Sequence, residues 1–308
     1  MRYEFETIRR AGLRLALCAC AALSGASHAA GADEKFVSQD ALVEGVEIHY
    51  TTGGHGPTVI LLHGYAETSR MWMPLFPRLA EKFTLIAPDL PGIGDSSIPS
   101  DGIDMKTAAI RIHALAKSLG VRKARVVGHD IGLMVAYAYA AQFPSETEKL
   151  ILMDAFLPGV AGWEQIYNSP LYWHFRFHGP TPEALVKSRE DIFFAYFWND
   201  LAADKNRSIP EAERRAYLAA YSRPGRMRAA WEYFVSFTQA AKDFEELSKT
   251  KLRMPVLSIG GDKSLGGPLG EQVKLVASDV KVVVVKNSGH WIMEEQPKET
   301  MDELVKFL

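Results

Sequence analysis

The stretch Ala124-Arg-Val-Val-Gly-His-Asp-Ile-Gly132 constrains this chain more than any other. It reads as a short apolar strand that passes through a glycine-bracketed turn into a helix over Leu133 to Gln142, stopped by Pro144. Gly128 and Gly132 flank Asp130 symmetrically. A sharp strand-to-helix turn holds its central residue in a strained backbone conformation, and only small neighbours leave room for that turn. The side chain at the apex projects above the sheet at the N-terminus of the next helix, whose positive end favours a carboxylate. An Asp that merely caps a helix is the other use of such a residue. The rest of the chain decides between the two.

Around this unit, strands and helices alternate. Val46-Glu-Ile-His-Tyr50 alternates as an edge strand should, and Thr58-Val-Ile-Leu-Leu62 is the unbroken apolar run of a strand buried on both faces, ending at His63-Gly64-Tyr65. A second buried strand, Phe83 to Ala87, leads into Asp89-Leu-Pro-Gly-Ile-Gly94, with a helix expected around Trp72 to Lys82 between the two. Ala108, Ile112, Leu115 and Leu119 mark one face of a further helix, closed by Gly120. Leu150 to Met153 ends at Asp154; Pro255 to Ile259 and Val280 to Val285 resume the strand pattern before Gly289-His290-Trp291 and a closing helix. Between them, residues 156–252 are helical and crowded with aromatics, with no buried strand. The pattern predicts an α/β fold: a mostly parallel, doubly wound sheet built from residues 36–155 and 253–308, with 156–252 inserted as a helical cap.

The chain has 308 residues, 47% hydrophobic and 23% charged, with a formal charge of -2, so no basic face for nucleic acid is implied. Arg9, Arg10 and Arg14 precede the apolar run Leu15 to Leu23 and the small residues Ala26-Ser27-His28-Ala29. This is the layout of a signal peptide over residues 1–29, and the expected location is periplasmic or secreted. The apolar run is shorter than the ~20 residues of a spanning helix, so no stable membrane insertion is expected after processing. Cys18 and Cys20 both lie in the leader, without a convincing lipobox, so the processed chain would hold no thiol and no disulfide. No metal-ligand cluster, phosphate loop or dinucleotide fingerprint is present, Gly92-Ile-Gly94 being a lone glycine pair, and neither metal nor cofactor is expected.

Taken together, His63-Gly64, Asp89-Leu-Pro-Gly-Ile-Gly94, Gly128-His-Asp-Ile-Gly132, Asp154 and Gly289-His290-Trp291 resemble the α/β-hydrolase fold. Within it they resemble the branch with an aspartate nucleophile, the epoxide hydrolases and the haloalkane or haloacetate dehalogenases. The resemblance runs from about Val46 to the C-terminus. Trp173-His174-Phe175 in the cap is similar to secreted bacterial epoxide hydrolases.

What the resemblance implies can be stated by residue. Asp130 would attack an sp3 carbon directly, since an ionised carboxylate needs no activating base, and would become an ester. Water would then attack that ester's carbonyl, with the oxyanion held by the backbone N–H groups of Tyr65 and Ile131, each donor worth on the order of 3 kcal/mol. His290 would take the proton from that water, oriented by a carboxylate. Asp154 is the preferred partner, as in the nearest relatives, and Asp262 in Gly260-Gly261-Asp262 is the alternative. His63 and His129 are expected to be structural, packed beside the oxyanion loop and the elbow.

An epoxide oxygen leaves as an alkoxide and wants donors from the cap. His174 matches the first. The expected second position is Phe234, which has no hydroxyl, and Tyr233 beside it is the candidate substitute although a helical neighbour points about 100° away. Trp173, Phe175, Phe234 and Trp291 are expected to wall the substrate pocket. Ile131 stands where haloalkane dehalogenases carry a halide-binding Trp and haloacetate dehalogenases an Arg, so a neutral substrate is favoured. The leading expectation is an exported epoxide hydrolase acting on a small apolar or amphipathic molecule. A dehalogenase is the alternative, followed by an esterase-like relative or a non-catalytic secreted binding protein. A carboxylate attacking an acyl group would give only an anhydride, which argues against the esterase. The oligomeric state, a homodimer included, stays open.

Overall fold

The computed structural model describes residues 36–308; the leader read over residues 1–29 lies outside them. Eight strands form one sheet: β1 (Phe36–Val43), β2 (Val46–Gly54), β3 (Thr58–Leu62), β4 (Thr84–Pro88), β5 (Ala124–His129), β6 (Thr147–Met153), β7 (Val256–Gly261) and β8 (Val280–Val285). Their order is β1-β2-β4-β3-β5-β6-β7-β8. β1 and β2 run antiparallel to their neighbours, and the pairs from β4 through β8 are parallel.

Side-chain alternation explains why both faces are covered. In β3, Ile60 and Leu62 enter one apolar layer and Val59 and Leu61 the other; in β5, Val126 and Val127 divide the same way. The first layer is closed by the helices Met105–Ser118 and Ile131–Gln142, the second by Phe76–Leu79 and Pro297–Phe307. Met105–Ser118 starts where the Asp104 carboxylate accepts from the Thr107 N–H at 2.8 Å, and its buried side Ala108, Ile112 and Leu115 recurs at helical spacing.

Two elements differ from the sequence reading. The sheet's edge is β1, not β2; β1 reads as polar because most of its side chains are exposed, and it is held by backbone pairing to β2 along its length. A two-residue turn joins them, with Glu44 at φ 47° and Gly45 at φ 73°. The expected helix around Trp72 to Lys82 is instead a 3-10 segment, Ser69–Leu75, and a single turn, Phe76–Leu79. Pro74 and Pro77 each remove a backbone donor, which breaks up a continuous α-helical ladder.

The parallel strands deliver the sequence's candidate groups to one end of the sheet. His63-Gly64-Tyr65 follows β3, Asp130 follows β5, Asp154 follows β6 and His290 lies in the loop after β8. Short helices run from Trp163 to Leu247 between β6 and β7 and sit over that end. They are fastened by buried hydrogen bonds: Trp198 Nε1 donates to the Ala66 carbonyl (3.1 Å), Tyr221 to the Glu67 carbonyl (3.0 Å) and Trp291 Nε1 to the Phe197 carbonyl (2.9 Å).

At the elbow, Asp130 has φ 51° and ψ -123°. A Cβ at Gly132 would stand 2.4 Å from the Leu62 carbonyl oxygen, and one at Gly128 would stand 2.1 Å from the Gly132 oxygen. Neither backbone can retreat without unpacking the sheet. Gly132→Ala is therefore expected to cost about 1–3 kcal/mol of stability, read as a lower thermal midpoint; an unaltered midpoint would show that the elbow has slack.

Candidate active site

Asp130 is held from one side by the Tyr65 N–H, which donates to Oδ1 at 2.8 Å. On the other side His290 Nε2 lies 3.7 Å from Asp130 Oδ2, while His290 Nδ1 is 3.0 Å from Asp154 Oδ2. Ile131 opens its helix, so its N–H has no intrahelical acceptor, and the Asp130 side chain does not cap that helix. The loop that carries His290 is fixed through its backbone: His290 N donates to the Leu201 carbonyl at 2.9 Å. Gly289 is obligatory for that approach, since a Cβ there would come within 2.5 Å of the Leu201 oxygen and the Ala203 nitrogen.

The two candidate partner acids are far from equivalent. Asp154 is fully buried, and its Oδ1 accepts from the N–H groups of Gly261 (3.1 Å) and Leu265 (3.2 Å), leaving Oδ2 for His290. Asp262 accepts from the Ser288 N–H at 3.3 Å and lies 3.7 Å from Lys263 Nζ. The structure brings Asp154, and not Asp262, to the imidazole. Burial works against charge on His290, but the Asp154 hydrogen bond and the negative charges of Asp130 and Asp154 outweigh it and raise its pKa to about 9.

His63 and His129 tie loops together. His63 Nδ1 lies 2.8 Å from the Gly64 oxygen and its Nε2 accepts from the Leu90 N–H at 2.9 Å. His129 Nε2 lies 3.0 Å from the His290 carbonyl oxygen, and its Nδ1 lies 3.3 Å from Glu67 Oε2. Burial, reinforced by the charge of His290, lowers the His129 pKa to about 4, so this ring is neutral. A neutral ring that donates from Nε2 accepts at Nδ1, which requires Glu67 to carry the shared proton. Burial indeed pushes the Glu67 carboxyl well above the usual range. Sequence patterning gives Glu67 no role; its one signal is a carboxylate in the otherwise uncharged turn His63-Gly-Tyr-Ala-Glu67.

A pocket opens above Asp130 and His290, walled by Phe175, Phe234 and Trp291 together with Met134, Phe156, Trp163 and Phe197. His174 also lines it, and neither ring nitrogen bonds to another described residue; Nδ1 is sealed from solvent as well. Burial lowers the His174 pKa to about 3, so it is neutral with an uncommitted N–H. No Lys or Arg is among the described lining residues. Two expected residues stand elsewhere. Trp173 is 40% exposed and does not wall the pocket, because it packs outward on Phe177 and Tyr196. The Tyr233 hydroxyl is buried and donates to the Pro91 carbonyl at 3.0 Å, so it is not available as a donor in the pocket. Among the described residues no cluster suited to a metal ion is found, and no helix is long and apolar enough to cross a membrane.

The alpha/beta hydrolase fold family matches residues 57–297. A soluble epoxide hydrolase of Corynebacterium sp. (strain C12) is 33% identical over 87% of this chain and 95% of its own length. A fluoroacetate dehalogenase of Burkholderia sp. is 30% identical over 52% of this chain and 56% of its own length. Among solved structures, the Cif epoxide hydrolase from Acinetobacter nosocomialis superposes with a TM-score of 0.82 at 25% identity, covering 89% of this chain and 90% of that one.

The His290 pKa carries a prediction. An unfolded imidazole titrates near 6.5, so the stabilising contribution of this group is fully present below about pH 6.5 and is lost as pH rises through about 9. Removing the carboxylate 3.7 Å from Nε2 takes away one of the charges that favour the imidazolium. Asp130→Ala is expected to move the His290 titration, followed by NMR, downward from about 9; a titration that stays in place would show that Asp130 does not act on this ring.

Proposed function

This chain belongs to the alpha/beta hydrolase fold family and is an epoxide-hydrolase-like hydrolase, and on that premise we propose that it opens a neutral epoxide to a vicinal diol through an ester of Asp130. The single observation that carries the reading is the pairing, in one pocket without Lys or Arg, of Asp130 with a neutral His174 whose ring nitrogens have no partner. A buried polar group left unpaired is costly, and a substrate oxygen would satisfy it.

In this mechanism residues 156–252 act as the cap over a core of 36–155 and 253–308. An Asp130 oxygen attacks an epoxide carbon, the C–O bond breaks, and its electron pair passes to the ring oxygen beside His174. That oxygen takes up a proton. His290 in its neutral form then removes a proton from water as the water oxygen attacks the ester carbonyl, with the tetrahedral oxyanion held by the Tyr65 and Ile131 N–H groups. Collapse breaks the bond between the ester carbonyl carbon and the diol oxygen, which takes the proton of the newly added hydroxyl and leaves Asp130 as a carboxylate; His290 then returns its proton to solvent, balancing the one taken up at ring opening. The sum is epoxide plus water to diol. Esterification also removes the Asp130 charge, which lowers the His290 pKa at the step where the ring must act as a base. Asp154 keeps the imidazole in the required tautomer.

The likeness to a fluoroacetate dehalogenase supports the same first step on a carbon–halogen bond. A haloacetate, however, brings a carboxylate, and no Lys or Arg is among the described lining residues to receive it. The uncharged epoxide is the better fit. We further propose that residues 1–29 direct export to the periplasm or beyond. Protein recovered from a periplasmic fraction is expected to begin near Ala30 and to titrate no thiol; exported protein that retains Met1 would overturn this.

The ester is directly testable. His290→Gln is expected to accumulate an adduct on Asp130 whose mass increase equals an intact epoxide. A single turnover of the unmutated chain in heavy-oxygen water should leave the diol unlabelled and place the label in the peptide containing Asp130. Label entering the first-turnover diol, with no adduct on Asp130, would sink the mechanism.

A further inference from the structure

Ring opening by a neutral imidazole alone leaves one lone pair of the released oxygen to find a second donor. Phe234 lines the pocket without a hydroxyl, and the Tyr233 proton is committed to Pro91. Two described tyrosines line the pocket, Tyr65 and Tyr172, and Tyr196 packs against its His174. Tyr196 donates to the Leu171 carbonyl. Tyr65 lines the pocket, with its ring packed among Phe194, Tyr221 and Phe234, but its hydroxyl, although unpartnered, is sealed from solvent. Tyr172 is the third.

Tyr172 lies in the 3-10 segment Pro170–Arg176, two residues before His174. At three residues per turn, side chains so spaced would diverge by about 120°. The segment is broken at this residue: Tyr172 has φ -102° and ψ 39°, outside the helical region. The break brings Tyr172 and His174 into the wall of the same pocket, with ring centroids 6.0 Å apart. Phe175 holds the tyrosine ring from behind, stacked at 5.3 Å with an interplanar angle of 9°. No described residue accepts a hydrogen bond from the Tyr172 hydroxyl, in contrast to Tyr196 and Tyr233.

We propose that Tyr172, rather than a residue at position 233 or 234, is the second donor to the oxygen released from the epoxide, acting beside His174. This rests on the epoxide reading of the site. As the C–O bond breaks and its electron pair moves to oxygen, the Tyr172 O–H bond supplies a proton to that oxygen, and the phenolate regains one from solvent before the next turnover. Burial, with the charges of Asp154 and Asp130 added, raises the phenol pKa to about 12. The hydroxyl therefore keeps its proton at neutral pH and acts as a donor, never as a resting base.

The test follows formation of the Asp130 adduct by rapid mixing and mass spectrometry, with 1,2-epoxyhexane as probe, in a chain carrying His290→Gln. Adding Tyr172→Phe keeps the stacked ring and removes only the hydroxyl. It is expected to slow adduct formation by at least about 10-fold. Phe234→Tyr on top of Tyr172→Phe is expected to recover part of that rate, and Tyr233→Phe to leave it unchanged. With His290 intact, decay of the ester should not respond to Tyr172→Phe, which separates a ring-opening role from a general loss of structure. An adduct that forms at the same rate without the Tyr172 hydroxyl, or one slowed equally by Tyr233→Phe, would overturn the assignment. If no adduct forms even with Tyr172 present, the epoxide reading itself fails and this inference falls with it.

Discussion

The helix Ile131–Gln142 can begin where it does only because nothing larger than hydrogen stands at Gly128 and Gly132. The close approach of Gly132 to the Leu62 and His63 carbonyls locks β3 against the start of this helix. That contact forces Asp130 into a left-handed conformation, φ 51°, at the end of β5. The strain is of the order of 1–3 kcal/mol, and it persists because the sheet and the helix on either side over-determine the turn. Everything else at this end of the sheet is placed relative to that fixed carboxylate: the Tyr65 N–H on one oxygen, the His290 ring toward the other.

The electrostatics follow from how few charges the site keeps. Asp154 is fully buried yet supplied with two backbone donors and an imidazole, so its charge is solvated by the protein itself. Glu67 lies equally deep but meets only a neutral ring, and burial keeps its proton on. Two buried acids thus face two histidines, Asp154 beside His290 and Glu67 beside His129, distinguished by the donors around them. In the proposed mechanism His290 is the group that changes charge, and its pKa of about 9 reflects a resting state with anions nearby. An ester at Asp130 would remove one of them.

The helical segment between β6 and β7 contributes much of the pocket wall, including Trp163, His174, Phe175 and Phe234. Part of its anchorage is aromatic side chains that donate to backbone carbonyls near the site, Trp198 to Ala66 and Tyr221 to Glu67 among them. These bonds consume the polar ends of large apolar groups, so the same residues that fasten the segment cannot also recognise a ligand. What the described pocket lining leaves uncommitted, His174, Tyr172 and the sealed Tyr65 hydroxyl, is correspondingly sparse.

Much of this was legible without coordinates. Unbroken apolar runs such as Thr58-Val-Ile-Leu-Leu62 require a sheet covered on both faces, and glycines around Asp130 require a sharp turn, because burial and steric exclusion act over a few neighbouring residues. β1 escaped notice because its side chains carry almost no burial signal and its stability comes from backbone pairing. The partner of His290 was undecided between Asp154 and Asp262, since both follow strands; only the pairing of β6 with β7 and the loop after β8 settles which carboxylate reaches the ring. Tyr233 and Trp173 had the right chemistry for the pocket and the wrong direction, which depends on packing against Pro91, Phe177 and Tyr196. The sequence by itself determined the fold class and the strand ends on which the reactive residue types sit. Tertiary structure alone decided which side chains face one another, because orientation is set by contacts among residues far apart in the chain.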